Sequence, residues 1–232
     1  METIDTLALT LGAGWAAGIN LYAAVLVLGY LGLTGHVTLP PGLEVLSDPL
    51  VMGIAGVMYF IEFFADKTPG VDSGWDALHT FVRIPAGALL AAGAASGFEV
   101  NQAAELAAAL VGGTMAAGSH FTKAGTRLMI NTSPEPVTNW TASILEDLAV
   151  IGGLWAALNY PVAFMLLLLL FLALVIWLLP KLWRALKTLF RRIGAFFGAT
   201  PPPPDPEDSL RRSDTLKSLF HTANNPDNPS RK

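Results

Sequence analysis

Residues 6–33 read TLALTLGAGWAAGINLYAAVLVLGYLGL, an uncharged run of 28 residues with one amide, Asn20, at its middle. A straight helix needs about 20 residues to cross a hydrocarbon core of about 30 Å. This run is too long for one perpendicular span, so it has to tilt or break. Gly12, Gly14 and Gly18, just ahead of Asn20, allow a local unwinding there. Working outward, five more apolar runs follow at about 49–65, 77–97, 103–121, 140–158 and 161–179. The chain therefore reads as an all-α integral membrane protein with six transmembrane helices.

Composition agrees. The 232 residues are 53% hydrophobic and 14% charged, with a mean hydropathy of +0.51, far too apolar for an ordinary soluble domain. With no Cys in the chain, disulfides, thiolate catalysis and Cys-based metal sites are excluded. The start, METIDT, has no basic segment ahead of the apolar run, which argues against a cleaved signal peptide.

The 14 Lys and Arg residues orient the spans. The connections at 34–48, 98–102 and 159–160 contain none, whereas 66–76 and 122–139 hold Lys67, Lys123 and Arg127. Arg83 lies just inside the third run, and the other ten follow Leu179. Basic residues resist translocation. The expectation is a multi-pass protein of a bacterial inner-membrane type of plasma membrane, with both termini cytoplasmic. Residues 1–180 carry 4 basic and 13 acidic side chains, and residues 181–232 carry 10 and 5. The tail is thus a separate compositional unit from the membrane domain at 1–180. Within 181–198, Trp183, Leu186, Phe190, Ile193 and Phe197 line one helical face and basic residues the rest. That reads as an amphipathic helix lying on anionic lipids of the cytoplasmic leaflet. Residues 199–232, with four consecutive prolines at 201–204, read as a disordered cytoplasmic tail.

An internal match suggests duplication. Residues 12–20 (GAGWAAGIN) align with 112–120 (GGTMAAGSH), and 48–53 (DPLVMG) with 147–152 (DLAVIG), at offsets of 100 and 99. Two three-helix repeats, at about 6–97 and 103–180, would enter the membrane from opposite sides as inverted halves. Gly14-xxx-Gly18 and Gly93-xxx-Gly97 are small-xxx-small pairs of the kind that lets membrane helices approach closely.

Ionisable residues at membrane depth face a protein interior or an aqueous cavity. Glu62 and Asp66 lie one turn apart at the end of the second run. Asp72, Asp76, His79 and Arg83 form a stripe at i, i+4, i+7 and i+11, and His120, Lys123, Arg127 and Asn131 form another at i, i+3, i+7 and i+11. Glu135 sits in the turn at 133–136 (SPEP), and Glu146 and Asp147 come early in the fifth run. All of these fall toward the cytoplasmic half. Asn20 and His120 are equivalent under the repeat and are candidates for a central site. The cluster has two readings at this point, an ion-binding site or a set of ion pairs that orients the helices.

Enzyme motifs are missing. There is no HExxH, P-loop, GxSxG or GxGxxG pattern, and no closely spaced histidine pair. No nucleic-acid signature appears either, and lipid is the better partner for the basic tail.

Four motifs resemble an integral membrane family known only as a domain of unknown function: GINLY at 18–22, EFFADKTP at 62–69, WDxxHTxxRIPAG at 75–87 and NTSPEP at 131–136. The resemblance covers about residues 8–180 and implies no activity. A weaker one is to a small cation-exchanger family with the signature Glu-x-Gly-Asp-Lys-Thr. Here residues 62–68 carry one extra residue and no Gly before Asp66, and the second half lacks the motif. This likeness implies a divalent cation held by Glu62 and Asp66.

The expected function is transport or channelling of a small ion or polar solute between the halves, with a homo-oligomer compatible with the pattern. Glu62, Asp66, Asp72 and Asp76 would bind a hard cation or carry protons. One alternative is a membrane enzyme or lipid handler gripping a phosphate headgroup with His79, Arg83, His120, Lys123 and Arg127. The other is a structural assembly factor.

Overall fold

The computed structural model describes residues 3–196, apart from 69, 98–101 and 133–135, together with Asp214. All six apolar runs are helices: α1 (Thr3–Leu33), α2 (Pro49–Ala65), α3 (Val71–Ala95), α4 (Gln102–Ile130), α5 (Pro136–Asn159) and α6 (Pro161–Phe196). A short 3-10 helix, Pro41–Ser47, precedes α2. No strand occurs among the described residues.

Four helices are long and apolar enough to cross a membrane: Thr3–Leu33, Val71–Ala95, Val137–Asn159 and Pro161–Ala185. A fifth span is reached if Pro41–Ser47 and Pro49–Ala65, bent by 68°, count as one broken span. The burial pattern suits lipid. Phe81 (82% exposed), Ile176 (74%) and Leu89 (73%) face outward, whereas Arg83 and Arg127 are the largest fully buried side chains. This chain is apolar outside and charged within.

α1 does break, and it reverses. Asn20 has φ −146° and ψ 98°, an extended residue between two helical limbs, 3–19 and 21–33. Its carboxamide oxygen accepts the N–H of Ala23 at 3.0 Å, so Asn20 caps the second limb as a helix N-cap does. The directions follow from contacts with α3. In the first limb Gly14 and Ala17 lie against Gly87, and Leu7, Thr10 and Leu11 lie by Ala95. That limb runs antiparallel to α3. In the second, Tyr22 meets His79, and by Gly42 and Pro40 the chain has arrived at Gly93 and Gly97. The second limb thus runs alongside α3 in the same direction. Its 13 residues cover roughly 20 Å at 1.5 Å per residue, matching the distance along α3 from His79 to Gly93.

The start of α1 lies with Ala95 and Ala104, whereas residues 179–183 of α6 lie against Phe121 and Gly125 at the other end. Residues 7–11 and residues 179–183 thus lie at opposite ends of α4.

Small residues hold the core. A Cβ on Gly14 would meet the Cα of Gly112 at 2.8 Å, and Gly87 packs against Ala116 and the Gly14 carbonyl. This is the close backbone approach expected where helices gain little from burying apolar surface in lipid. The repeated segments 12–20 and 112–120 pack against each other here, Gly14 on Gly112 and Gly18 on Ala116 and Ser119. They run parallel. A two-fold axis in the membrane plane would set them antiparallel, so the inverted relation does not hold for this pair.

The chain divides into units 1–186 and 187–232. α6 continues through residue 181 to Phe196 as one helix with Pro180 inside it, rather than starting a separate helix at 181. Of the second unit, only 187–196 and Asp214 are described. The tail expected at 199–232 falls otherwise outside the described residues, as does Glu135.

Candidate functional site

The helices bring the stripes together around one ammonium. α4 carries His120, Lys123 and Arg127 on the face turned to α1, α2 and α3, and Lys123 Nζ is ringed by four carboxylates. They are Asp66 Oδ2 at 2.8 Å, Glu62 Oε1 and Glu146 Oε2 at 3.4 Å each, and Asp76 Oδ1 at 3.8 Å. The fifth oxygen is the carbonyl of Ile19 at 3.1 Å, left without an intrahelical partner where the first limb of α1 ends. An amine surrounded by oxygens in this way stands where a bound cation would.

Two arginines complete the network. Arg83 donates from Nη2 to Glu62 Oε1 at 2.6 Å and from Nη1 to Asp76 Oδ1 at 2.9 Å. Arg127 holds Glu146 bidentately, at 3.2 and 2.7 Å, and also donates to the Asp66 and Asn139 carbonyls. Charges taken out of water this completely are tolerated only when paired and hydrogen-bonded. The pairing is nevertheless incomplete. Glu62 Oε2, Asp66 Oδ1 and Asp76 Oδ2 are buried with no hydrogen-bond partner, as is Arg83 Nε.

The two histidines lie at the margin. His120 Nδ1 accepts from Arg83 at 3.2 Å, leaving Nε2–H to donate to the Thr80 hydroxyl at 2.8 Å. His79 Nδ1–H donates to the Trp75 carbonyl, and its Nε2 is hydrogen-bonded to the Tyr22 hydroxyl, both at 3.0 Å. Neither is a metal ligand in this arrangement. Among the described residues no three His, Cys, Asp or Glu groups are placed to hold a metal ion, because arginine and lysine stand between the carboxylates.

Asn20 and Asp147 form a second centre, against the break itself. The Asn20 amide donates to Asp147 Oδ1 at 2.9 Å and the Tyr59 hydroxyl donates to Oδ2 at 3.0 Å. One turn away, Lys67 donates to Ser143 at 3.1 Å and lies 3.0 Å over the Phe63 ring. Burial pulls its amine below the usual lysine range. Asp72 sits apart, at the start of α3, where the N–H groups of Gly70 and Ser73 and the Asn131 amide surround its carboxylate. A crevice of about 230 Å³, lined in part by Ile19, Thr122, Lys123, Glu146 and Phe171, reaches the cluster from its side.

Of the site expected from sequence, Glu62, Asp66, Asp76, Arg83, His120, Lys123, Arg127 and Glu146 are brought into one network. Asn20 joins Asp147 rather than His120. Sequence reasoning missed Tyr22, Tyr59, Thr80, Asn139 and Ser143. Tyr59 falls three residues before Glu62, and Asn139 and Ser143 fall seven and three before Glu146, so extending each stripe by a turn finds them.

A bundle that is lipid-apolar outside, with a buried charged network at a broken helix, defines a multi-pass helical membrane protein. Residues 7–181 match the family model described as "Domain of unknown function (DUF4126)", and the chain belongs to that family. No curated protein and no solved structure matches it.

Proposed function

We propose that this protein exchanges a small cation for protons across the plasma membrane. The reading rests on one observation: an ammonium held by four carboxylates and a helix-end carbonyl, with three carboxylate oxygens beside it still lacking partners. A carried cation and Lys123 compete for the same oxygens. When the cation binds, Lys123 turns aside into the adjoining crevice. Discontinuous helices whose ends face a buried ion site are a recurring feature of secondary transporters. Oxygen ligands suit a hard cation, so a divalent ion is the first candidate.

The orientation proposed puts the cluster in the cytoplasmic half and the start of α1 outside, with Lys67, Lys123 and Arg127 inward. Residues 1–5 carry no Lys or Arg, so the rule is obeyed with this N-terminal placement too. The basic stretch from Lys181 meets anionic lipid. The phosphate-gripping alternative is disfavoured because Arg83, Lys123 and Arg127 are each already engaged by carboxylates.

Purified protein in liposomes loaded with a divalent-sensitive dye tests this. Glu62→Gln and Asp66→Asn are expected to abolish flux while the protein stays folded and inserted. Flux that survives both changes, or tight phospholipid binding with no flux of any ion, would overturn the reading.

A further inference from the structure

Two apolar grooves on the outside of the bundle differ in what rims them. One, of about 350 Å³, is formed by α1, α3 and α4 around Leu7, Ala95, Ala104 and Val111. Glu105 is the one charged residue of 104–111, and 3–11 and 91–95 hold no Lys or Arg. The other, of about 530 Å³, lies between α4 and α6 at the opposite end of α4. Phe121, Gly125 and Leu128 form one wall and Leu179, Leu182 and Trp183 the other, with no charged side chain among them. The apolar run of α6 stops at this end. Trp177 and Trp183 are exposed, and such aromatic side chains gather where hydrocarbon meets headgroups. Lys181 Nζ lies 3.1 Å over the Trp177 ring. Arg184 Nε donates to the carbonyl of Pro180 at 3.2 Å, and Pro180 lines the groove, so the guanidinium stands at its lip. Neither wall offers an opposing charge: α6 has no Asp or Glu, and α4 has none after Glu105. Lys123 and Arg127 of α4 belong to a different face, buried and engaged by carboxylates.

We propose that the groove between α4 and α6 binds one anionic phospholipid, with an acyl chain along Phe121, Leu128 and Leu182 and the phosphate against Lys181 and Arg184. A slot without charged side chains suits a hydrocarbon chain, and the fork of a guanidinium matches phosphate oxygens. A zwitterionic lipid brings its own ammonium, which a basic pair repels, so the groove selects a headgroup with net negative charge. The site is independent of the exchange reading, since nothing in it involves the carboxylates around Lys123.

Native mass spectrometry of the full-length protein tests this, in mild detergent with equal amounts of phosphatidylglycerol and phosphatidylcholine of the same acyl chains. Wild type is expected to retain the anionic lipid in preference, by on the order of fivefold for each basic residue at the lip. Lys181→Gln combined with Arg184→Gln is expected to retain the two lipids equally. Ala124→Phe, which fills the groove, is expected to lose the bound lipid, whereas Ala108→Phe, which fills the other groove, keeps the wild-type preference. Both charge changes fall at exposed positions of α6, so they carry the test even where Ala124→Phe does not fold. Equal retention by wild type, or a preference that survives the loss of both charges, overturns the proposal. So does a dimer that Ala124→Phe splits, because a second copy of the chain would then occupy the groove.

Discussion

At the scale of single residues, the network around Lys123 divides by what removal leaves behind. Arg83 is fully buried and holds both Glu62 and Asp76. Arg83→Gln therefore leaves Glu62 and Asp76 with Lys123 alone, at 3.4 and 3.8 Å, and breaking buried pairs of this kind costs about 3–5 kcal/mol. Replacing charge on both sides, Glu62→Gln with Arg83→Gln, is expected to cost less than Arg83→Gln alone. Thermal unfolding in detergent compares the three proteins, and a double variant no more stable than Arg83→Gln would show that the pairing is not what the fold depends on. Asn20 has two duties, the cap to Ala23 and the bond to Asp147. Loss of a cap costs about 0.5–2 kcal/mol, so Asn20→Ala is expected to lower stability while Asn20→Asp, which keeps an acceptor for the cap, sets a second carboxylate against Asp147. Asn20→Asp is expected to be the more sensitive to high pH, measured as the change in melting temperature on raising pH.

At the scale of elements, α1, α3 and α4 meet through glycine. Gly14 stands where any Cβ would collide with the backbone of Gly112, and overpacking costs typically about 1–3 kcal/mol. Gly14→Leu is expected to reduce the yield of folded, monodisperse protein sharply. Gly118→Ala, at a position where a Cβ meets nothing within 4 Å, is expected to have no effect. Equal loss in both would remove the glycine contact as the reason. Much at this scale is legible in the sequence. Six apolar runs become six helices, and the stripes at 72–83 and 120–131 do present one face each, since side chains three and four apart share a side whatever the tertiary context. That residues 6–33 tilt or break also follows from length, because 28 apolar residues exceed one span, and Gly12, Gly14 and Gly18 point to an unwinding near Asn20. Its reversal does not follow. Whether a broken helix continues or doubles back depends on what packs beside each limb, here α3 along its whole length. Which carboxylate meets which base is equally hidden, since it depends on the rotation and depth of each helix. The place of Lys123 between Glu62 and Asp66 is a case of this, since the sequence shows the two carboxylates only as neighbours.

For the whole molecule, the doubled first helix sets the topology. Cysteines at positions 3 and 36 are expected to react with an impermeant maleimide in intact cells, and one at 132 only after permeabilisation. Labelling at 132 with protection at 3 would invert the orientation. Exchange itself is tested most directly by pH inside the vesicle. Proteoliposomes loaded with pyranine, and given a divalent cation outside with a potassium–valinomycin clamp, report proton movement as the cation enters. Wild-type protein is expected to raise the internal pH on cation addition, and Glu62→Gln, inserted to the same level, to leave it at the value of protein-free vesicles. An internal pH unmoved by wild-type protein for every cation tried, with insertion verified, would contradict cation–proton exchange.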